Sequence, residues 1–234
     1  MEDDPYMPPA EATLPAPGTL PDARLTADSI LVPALSVLLL LAAWLKWLPL
    51  DVTEAWGFAT GAVCVWLVTK ENIWNWPIGL ANNIFFAVLF WKARLYADFG
   101  LQGVYFAFGV WGWWEWLYGG KDRSKLKVTR TSSIEWSAIA AFLVIGTWGL
   151  REILVRVNGS APFWDALSTV ICLAAQYLLC RKKIENWWLW IIADVIYVPL
   201  YLSKKLPLTA ALYAGFIVLC ILGLMRWRRE LQAA

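Results

Sequence analysis

The stretch IWNWPIGLANN at residues 73–83 is repeated as IENWWLWIIAD at residues 184–194. Each copy begins with Ile and carries Asn-Trp two residues later. The same offset, 111 residues from position 73 to position 184, continues without a gap. It pairs Leu89 with Leu200, Leu95 with Leu206, Leu101 with Leu212, Gly112 with Gly223, and Trp116 with Trp227. We interpret these matches as an internal repeat that relates two parts of the chain.

Eight apolar segments run along the chain, most of them close to the roughly 20 residues that a helix needs to cross a bilayer. They cover approximately residues 29–50, 53–69, 73–91, 99–118, 134–154, 163–180, 187–203 and 208–227. Of the 234 residues, 60% are hydrophobic and 16% are charged, whereas soluble domains have about 25% charged residues. We therefore predict an all-α polytopic membrane protein with about eight transmembrane helices. The connecting segments are too short for a soluble catalytic domain, so we expect the function to lie inside the membrane.

The repeat defines the predicted organisation of these spans. It maps spans two to four onto spans six to eight, and segments four spans apart cross the membrane in the same direction. The prediction is a parallel repeat: 29–50 as an extra N-terminal helix, 53–118 as the first three-helix repeat, 134–154 as a linker helix, and 163–229 as the second repeat. Repeats of this kind are typical of secondary transporters, whose binding site lies near the midplane between the repeats.

The charges predict how the chain lies in the membrane. Residues 1–28 are rich in Pro and acidic residues and are expected to be disordered. With both termini on one side, that side holds thirteen Lys and Arg residues and the opposite side holds seven. The positive-inside rule therefore places both termini in the cytoplasm. The largest basic cluster, at residues 119–133, is interpreted as a topology signal.

Composition narrows the chemistry that is available. The chain has no His, which excludes His-based metal sites and His proton relays, and we expect no cofactor and no metal. A net charge of +2 is too small to indicate nucleic-acid binding. The cysteines all fall in apolar segments and are interpreted as small hydrophobic residues: Cys64, Cys172, Cys180 and Cys220.

One carboxylate, Asp194, lies deep within a predicted span. A charge at a helix centre costs about 2.5–3.5 kcal/mol on insertion scales, so it requires a compensating role. The repeat equivalent of Asp194 is Asn83, which follows Asn82. Two readings stay open: a binding site between the repeats, or polar contacts that only tie helices together.

The neighbours of Asp194 favour a binding site. Trp187, Trp190, Asp194, Tyr197 and Tyr201 are spaced three and four residues apart and share one helical face. The equivalent face in span three holds Trp76, Gly79, Asn83, Phe86 and Phe90, and Gln102 and Tyr213 coincide in the repeat. Aromatic walls, amides and one carboxylate suit a flat, hydrogen-bonding, cationic ligand. The candidate substrate-binding residues are therefore Trp76, Asn82, Asn83, Gln102, Trp187, Trp190, Asp194, Tyr197 and Tyr213.

Other features have simpler interpretations. Trp76 and Trp187 lie near span ends, and membrane-interface belts are rich in Trp. A belt position is therefore the alternative to a binding role for these two residues, and it is the preferred interpretation of Trp111, Trp113, Trp114 and Trp116. Pro77 and Pro199 fall within spans three and seven, where proline can kink a helix.

Several motifs in order resemble the PnuC family of vitamin transporters. They are Asn75-Trp-Pro-Ile-Gly-Leu-Ala-Asn-Asn83, Leu95-Tyr-Ala-Asp98, Gly112-Trp-Trp-Glu-Trp116, Pro162-Phe-Trp-Asp165 and Glu185-Asn-Trp-Trp-Leu-Trp190. The resemblance, which spans about residues 53–229, implies a SWEET-like fold and facilitated diffusion of nicotinamide riboside, with kinases trapping the substrate inside. It also implies a homotrimer in the bacterial inner membrane, and substrate contacts at Trp187, Trp190, Asp194, Asn82 or Asn83, and Gln102.

The sequence departs from the resemblance at one point and leaves alternatives open. Nicotinamide riboside transporters of the family carry Asn where this chain has Asp194, which fits a different ligand, proton coupling or a tighter grip on a cation. The alternative substrate is thiamine, another cationic vitamin, or a different vitamin carried by the same family. An intramembrane enzyme would need a nucleophile with a base or two opposed carboxylates. A structural subunit would need no matched polar pair.

Overall fold

The computed structural model describes residues 27–49, 52–92, 94, 96–158, 161–203 and 205–233. These residues form eight α-helices and a short 3-10 turn at Lys121–Arg123. The helices are α1 (Ala27–Trp44), α2 (Val52–Thr69), α3 (Asn75–Lys92), α4 (Tyr96–Tyr118), α5 (Ser133–Arg156), α6 (Pro162–Cys180), α7 (Asn186–Ser203) and α8 (Pro207–Ala233). The tail at residues 1–26 and Leu95 of the repeat lie outside the described residues.

The predicted all-helical class is confirmed, and each predicted span corresponds to one helix. The described part of the chain contains no β-strand, only an isolated bridge between Thr129 and Lys183. Four helices, α2, α5, α6 and α8, are long and apolar enough by length and composition to cross a membrane.

Within each repeat, neighbouring helices pack in the order of the chain, and two pairs of packed helices join the repeats. Helix α2 packs on α3, α3 on α4, α6 on α7, and α7 on α8. The repeats meet where α2 packs on α8 and where α4 packs on α6, and these two contacts are equivalent under the repeat. Helices α1 and α5 pack on α2 and α6, so each lies on the outside of one repeat.

The repeat is also visible in the turns that end the helices. Glu71 and Lys182 follow equivalent helices, and both have left-handed backbone angles, with φ of 51° and 52°. Arg94 and Lys205 form a second equivalent pair, with φ of 61° and 60°. A left-handed residue after a helix satisfies its last carbonyl groups and stops it. The offset therefore relates backbone conformation as well as sequence.

Two sequence interpretations concern the interior of the spans. Pro77 is the third residue of α3, where the first helical turn tolerates proline, so the kink considered at this position is wrong. Pro199, in contrast, lies inside α7. All four cysteines, which lie among the described residues, are free thiols, as their apolar surroundings predict.

Candidate functional site

A cavity of about 440 Å³ lies between the two repeats. Its wall is contributed by α2, α3, α4, α6, α7 and α8. The nine residues predicted from the sequence all line this cavity: Trp76, Asn82, Asn83, Gln102, Trp187, Trp190, Asp194, Tyr197 and Tyr213. The structure thus brings together residues that are more than 100 positions apart in the chain.

The predicted face of α7 is the face that lines the cavity. Trp187, Trp190, Asp194 and Tyr197 all point to it, as their spacing of three and four residues requires. The equivalent positions of α3 do the same: Trp76, Gly79, Asn83 and Phe86. The last members of both faces, Tyr201 and Phe90, are not among the lining residues. The two repeats therefore contribute matched stretches of equal length.

Asp194 is the one carboxyl group among the described residues that line the cavity. The residue is buried, with 6% of its surface exposed, and Cys220 Sγ lies 3.9 Å from Oδ2. Among the described residues that line the cavity, none is Lys or Arg. A buried carboxylate without a cationic neighbour is costly, and a positive charge on a ligand would offset that cost.

Four buried polar atoms of lining residues have no hydrogen-bond partner within the described part of the chain. Two are donors, Nε1 of Trp76 and Nε1 of Trp187, and two are acceptors, Oδ1 of Asn82 and Oδ1 of Asn186. Leaving such a group unpaired costs about 1–3 kcal/mol, so buried polar groups are usually satisfied. Each of the four atoms has almost no accessible surface, so the residues line the cavity while these particular atoms are buried behind its surface.

Three aromatic residues line the cavity at the end away from Trp187: Tyr197, Tyr213 and Phe216. Tyr201 and Phe58 are not lining residues but pack against Tyr213. Tyr213 is the centre of this group: its ring centroid lies 4.8 Å from Tyr197 and 5.1 Å from Tyr201, and the Tyr201 ring is stacked on it. Phe58 and Phe216 contact Tyr213 edge-on at 5.8 and 5.9 Å. Such a wall suits a planar ring, because faces and edges of π-systems attract each other in offset arrangements.

Sequence reasoning missed some of the lining residues. Gln176 reaches the cavity from α6, and its repeat equivalent is Val65, so the comparison of the repeats concealed it. An isolated Gln within an apolar helix was nevertheless a usable signal. Tyr105 and Phe216 both line the cavity and are equivalent under the offset, so the repeat itself pointed to this aromatic pair.

The belt interpretation is wrong for three tryptophans. Trp76 and Trp187 are 3% and 1% exposed, and each ring packs against a glycine, Gly112 and Gly223 respectively. Trp116 is also 3% exposed, because its Nε1 donates a hydrogen bond of 3.0 Å to the carbonyl oxygen of Leu179. A belt residue would instead lie on the outer surface, as Trp114 does with 58% exposure.

Comparisons with known proteins find similar sequences over most of the chain. The sequence model of the family described as nicotinamide mononucleotide transporter matches residues 51–229. The nicotinamide riboside transporter PnuC of Escherichia coli strain K12 is 26% identical over 200 residues, which cover 74% of this chain and 84% of that protein. The riboflavin/roseoflavin transporter RibM of Streptomyces davaonensis is 24% identical over 175 residues, covering 73% and 82%.

A solved structure supports the fold. The crystal structure of the vitamin B3 transporter PnuC is similar, with a TM-score of 0.66 and 21% sequence identity. The superposition covers 87% of this chain and 90% of that chain. At this identity the likeness is evidence for the fold alone.

Proposed function

Because the chain belongs to the nicotinamide mononucleotide transporter family, we propose that it carries nicotinamide riboside across a membrane by facilitated diffusion with alternating access. The chain is a membrane transporter and not an enzyme. The observation that carries the substrate proposal is the composition of the cavity. One buried carboxylate, amides and aromatic rings match the cationic ring and the hydroxyl groups of this nucleoside.

The cavity favours the riboside over the mononucleotide, which differs by a phosphate group. The family description refers to the mononucleotide, whereas the relative from Escherichia coli is described as a riboside transporter. A phosphate is normally held by Arg, Lys or a helix N-terminus. The described lining residues include no Lys or Arg, and Asp194 would repel the phosphate. We therefore infer that the phosphate-free nucleoside is the substrate.

Thiamine is a second candidate, since it also carries a cationic ring that Asp194 would attract. Riboflavin is named for one relative, but it has no cationic ring to use the carboxylate. The two cationic vitamins differ in their hydrogen-bonding edges: the riboside presents a carboxamide and ribose hydroxyls. The lining amides of Asn82, Asn83 and Gln102 provide donors and acceptors for such groups.

We expect nicotinamide riboside to raise the melting temperature of the purified protein. A ligand at 100 times its dissociation constant stabilises the native state by about 2.7 kcal/mol, which gives a shift of several degrees. Thiamine, riboflavin and nicotinamide mononucleotide are the comparison ligands in the same thermal-shift assay. A higher melting temperature with the mononucleotide but not with the riboside would contradict the charge argument. A higher melting temperature with thiamine alone would make thiamine the substrate in place of nicotinamide riboside.

We also propose that all eight helices cross the membrane: α1 comes first and is followed by two three-helix repeats joined by α5, with both termini in the cytoplasm. The support is the excess of basic residues in the segments assigned to that side. The turns at residues 70–74, 119–132 and 181–185 would then be cytoplasmic. A homotrimer is proposed on the family resemblance alone.

Cysteine labelling tests this orientation. Ser124 is exposed in the loop between α4 and α5, and Lys46 is exposed in the turn after α1. In intact cells, a membrane-impermeant maleimide should leave Ser124→Cys unmodified and should label Lys46→Cys. Labelling of Ser124→Cys from outside, with Lys46→Cys protected, would invert the topology.

A further inference from the structure

Four tryptophans form a continuous chain of ring contacts at one end of the cavity. Trp76 contacts Trp116 edge-on at 5.4 Å, Trp116 contacts Trp227 at 6.0 Å, and Trp227 contacts Trp187 edge-on at 5.3 Å. The two outer rings line the cavity, and the two inner rings lie behind them. We call these residues, Trp76, Trp116, Trp187 and Trp227, the tryptophan cluster. All four are at most 3% exposed.

The cluster is symmetric under the repeat and joins the two repeats. Trp116 of the first repeat donates its indole N–H to the carbonyl oxygen of Leu179 in the second, at 3.0 Å. Trp227 of the second repeat donates to the carbonyl oxygen of Val68 in the first, at 3.1 Å. Val68 and Leu179 are themselves equivalent positions near the ends of α2 and α6. Each repeat therefore holds the end of the other by the same bond.

An ion pair lies on the same side as the cluster. Lys182 pairs with Glu71, and these two residues are equivalent under the repeat, so the pair joins the two repeats at matched turns. Lys182 also donates to the carbonyl oxygen of Leu126 at 3.0 Å and lies 4.7 Å from the ring centroid of Trp116. Lys182 is only 6% exposed, so its charge is held by these partners rather than by water.

The loop between α4 and α5 also packs against the tryptophan cluster and closes this end of the cavity further. Val128, from the loop between α4 and α5, is buried in the same core group as the four indoles. The loop is fixed to the turn between α6 and α7, because the Thr129 N–H donates to the carbonyl oxygen of Lys182 and the Ile184 N–H donates to the carbonyl oxygen of Thr129. A solute in the cavity that left through this end would have to separate contacts between the two repeats.

We propose that the tryptophan cluster and the Glu71–Lys182 pair form the closed gate at this end of the transport pathway. The gate rests on the proposed transport function, but it is defined by contacts between the repeats and not by the identity of the substrate. On the inner side of the gate, Trp76 and Trp187 line the binding cavity. Opening requires Trp116 and Trp227 to leave the carbonyl groups that they bind in the opposite repeat.

The gate is tested by the access of a thiol reagent to the cavity from the side of the cluster. Cys64 lines the cavity, and Cys172, Cys180 and Cys220 can be replaced by Ala to leave it as the only cysteine. Inside-out membrane vesicles expose the side that the charge distribution assigns to the cytoplasm. An impermeant maleimide is added to them, and the labelling rate of Cys64 is measured without ligand.

Trp227→Ala should raise the labelling rate by about tenfold. Losing an aromatic contact between the repeats should increase the population of the open state by about that factor. The control is Trp114→Ala on the same helix as Trp116, since Trp114 is exposed and outside the cluster. Its labelling rate should equal that of the parent protein. An equal rate in folded Trp227→Ala and the parent would overturn the gate.

Glu71→Gln provides a second variant that removes charge without removing a core ring. It should raise the labelling rate several-fold, because Lys182 loses the carboxylate that ties its turn to the first repeat. If Trp227→Ala does not fold, an unchanged rate in Glu71→Gln overturns the proposal. Because labelling uses no substrate, the gate is judged separately: a failure of nicotinamide riboside to bind the parent protein would reject the proposed function alone.

Discussion

We expect Asp194→Ala to weaken the binding of nicotinamide riboside by about 10- to 150-fold. Hydrogen bonds and contacts to charged groups contribute roughly 1.5–3 kcal/mol, and the cavity shields this carboxylate from water. Asp194 lies on the wall between Trp190 and Tyr197, where it can face the ring of a bound cation. Isothermal titration of the purified variants measures the loss directly.

Asp194→Asn should lose less affinity than Asp194→Ala, because the amide keeps an acceptor oxygen. The reduced, uncharged form of nicotinamide riboside is the matched ligand: it should bind the parent protein and Asp194→Asn about equally. If the parent protein binds the oxidised form more tightly than the reduced form, the positive charge of the ring, rather than its shape, would then explain the difference in affinity.

The competing role of Asp194 is a tether between helices. Cys220 Sγ of α8 lies 3.9 Å from Oδ2 of Asp194, which is too long for a strong bond. A tether predicts a lower melting temperature with unchanged affinity in the folded fraction. We expect the reverse, since removing a buried acid relieves a cost to the folded state. Unchanged affinity in Asp194→Ala would end the binding role.

The helices were predictable because each carries a long apolar segment that ends in a short polar turn. The face of α7 was predictable for a different reason: five large or polar residues follow the spacing of three and four that a helix requires. Asp194 stood out because a carboxylate is costly within a membrane span. These signals are local, and they needed only the sequence of one helix at a time.

The roles of the tryptophans were not predictable in the same way. With 18 Trp in the chain, most near span ends, the belt was the simplest reading. Trp114 follows that reading, and Trp116 two residues later does not. The difference depends on Leu179, whose carbonyl oxygen accepts the Trp116 N–H from the opposite repeat. Contacts across 63 residues depend on the packing of helices and leave no mark in local spacing.

Gly223→Ala should weaken substrate binding by about 5- to 150-fold. Overpacking typically costs about 1–3 kcal/mol, and the side chain that would be displaced, the indole of Trp187, is part of the cavity wall. A Cβ atom at Gly223 would lie 2.4 Å from the indole of Trp187, well inside van der Waals contact. Trp187 is 1% exposed and already packs on Trp227, so its ring can move chiefly toward the cavity. The measurement is isothermal titration beside a melting curve.

Gly215→Ala is the matched control on α8, since a Cβ atom there meets nothing within 4 Å. It should leave affinity unchanged and should stabilise the helix slightly, because Ala is favoured over Gly by up to about 1 kcal/mol in a helix. Gly112→Ala tests the equivalent position, where the added Cβ would lie 2.2 Å from Trp76. If the repeats contribute equally to the site, both variants lose affinity. A loss in Gly223→Ala alone would place the substrate on the side of Asp194, and no loss in either would remove both indoles from the binding site.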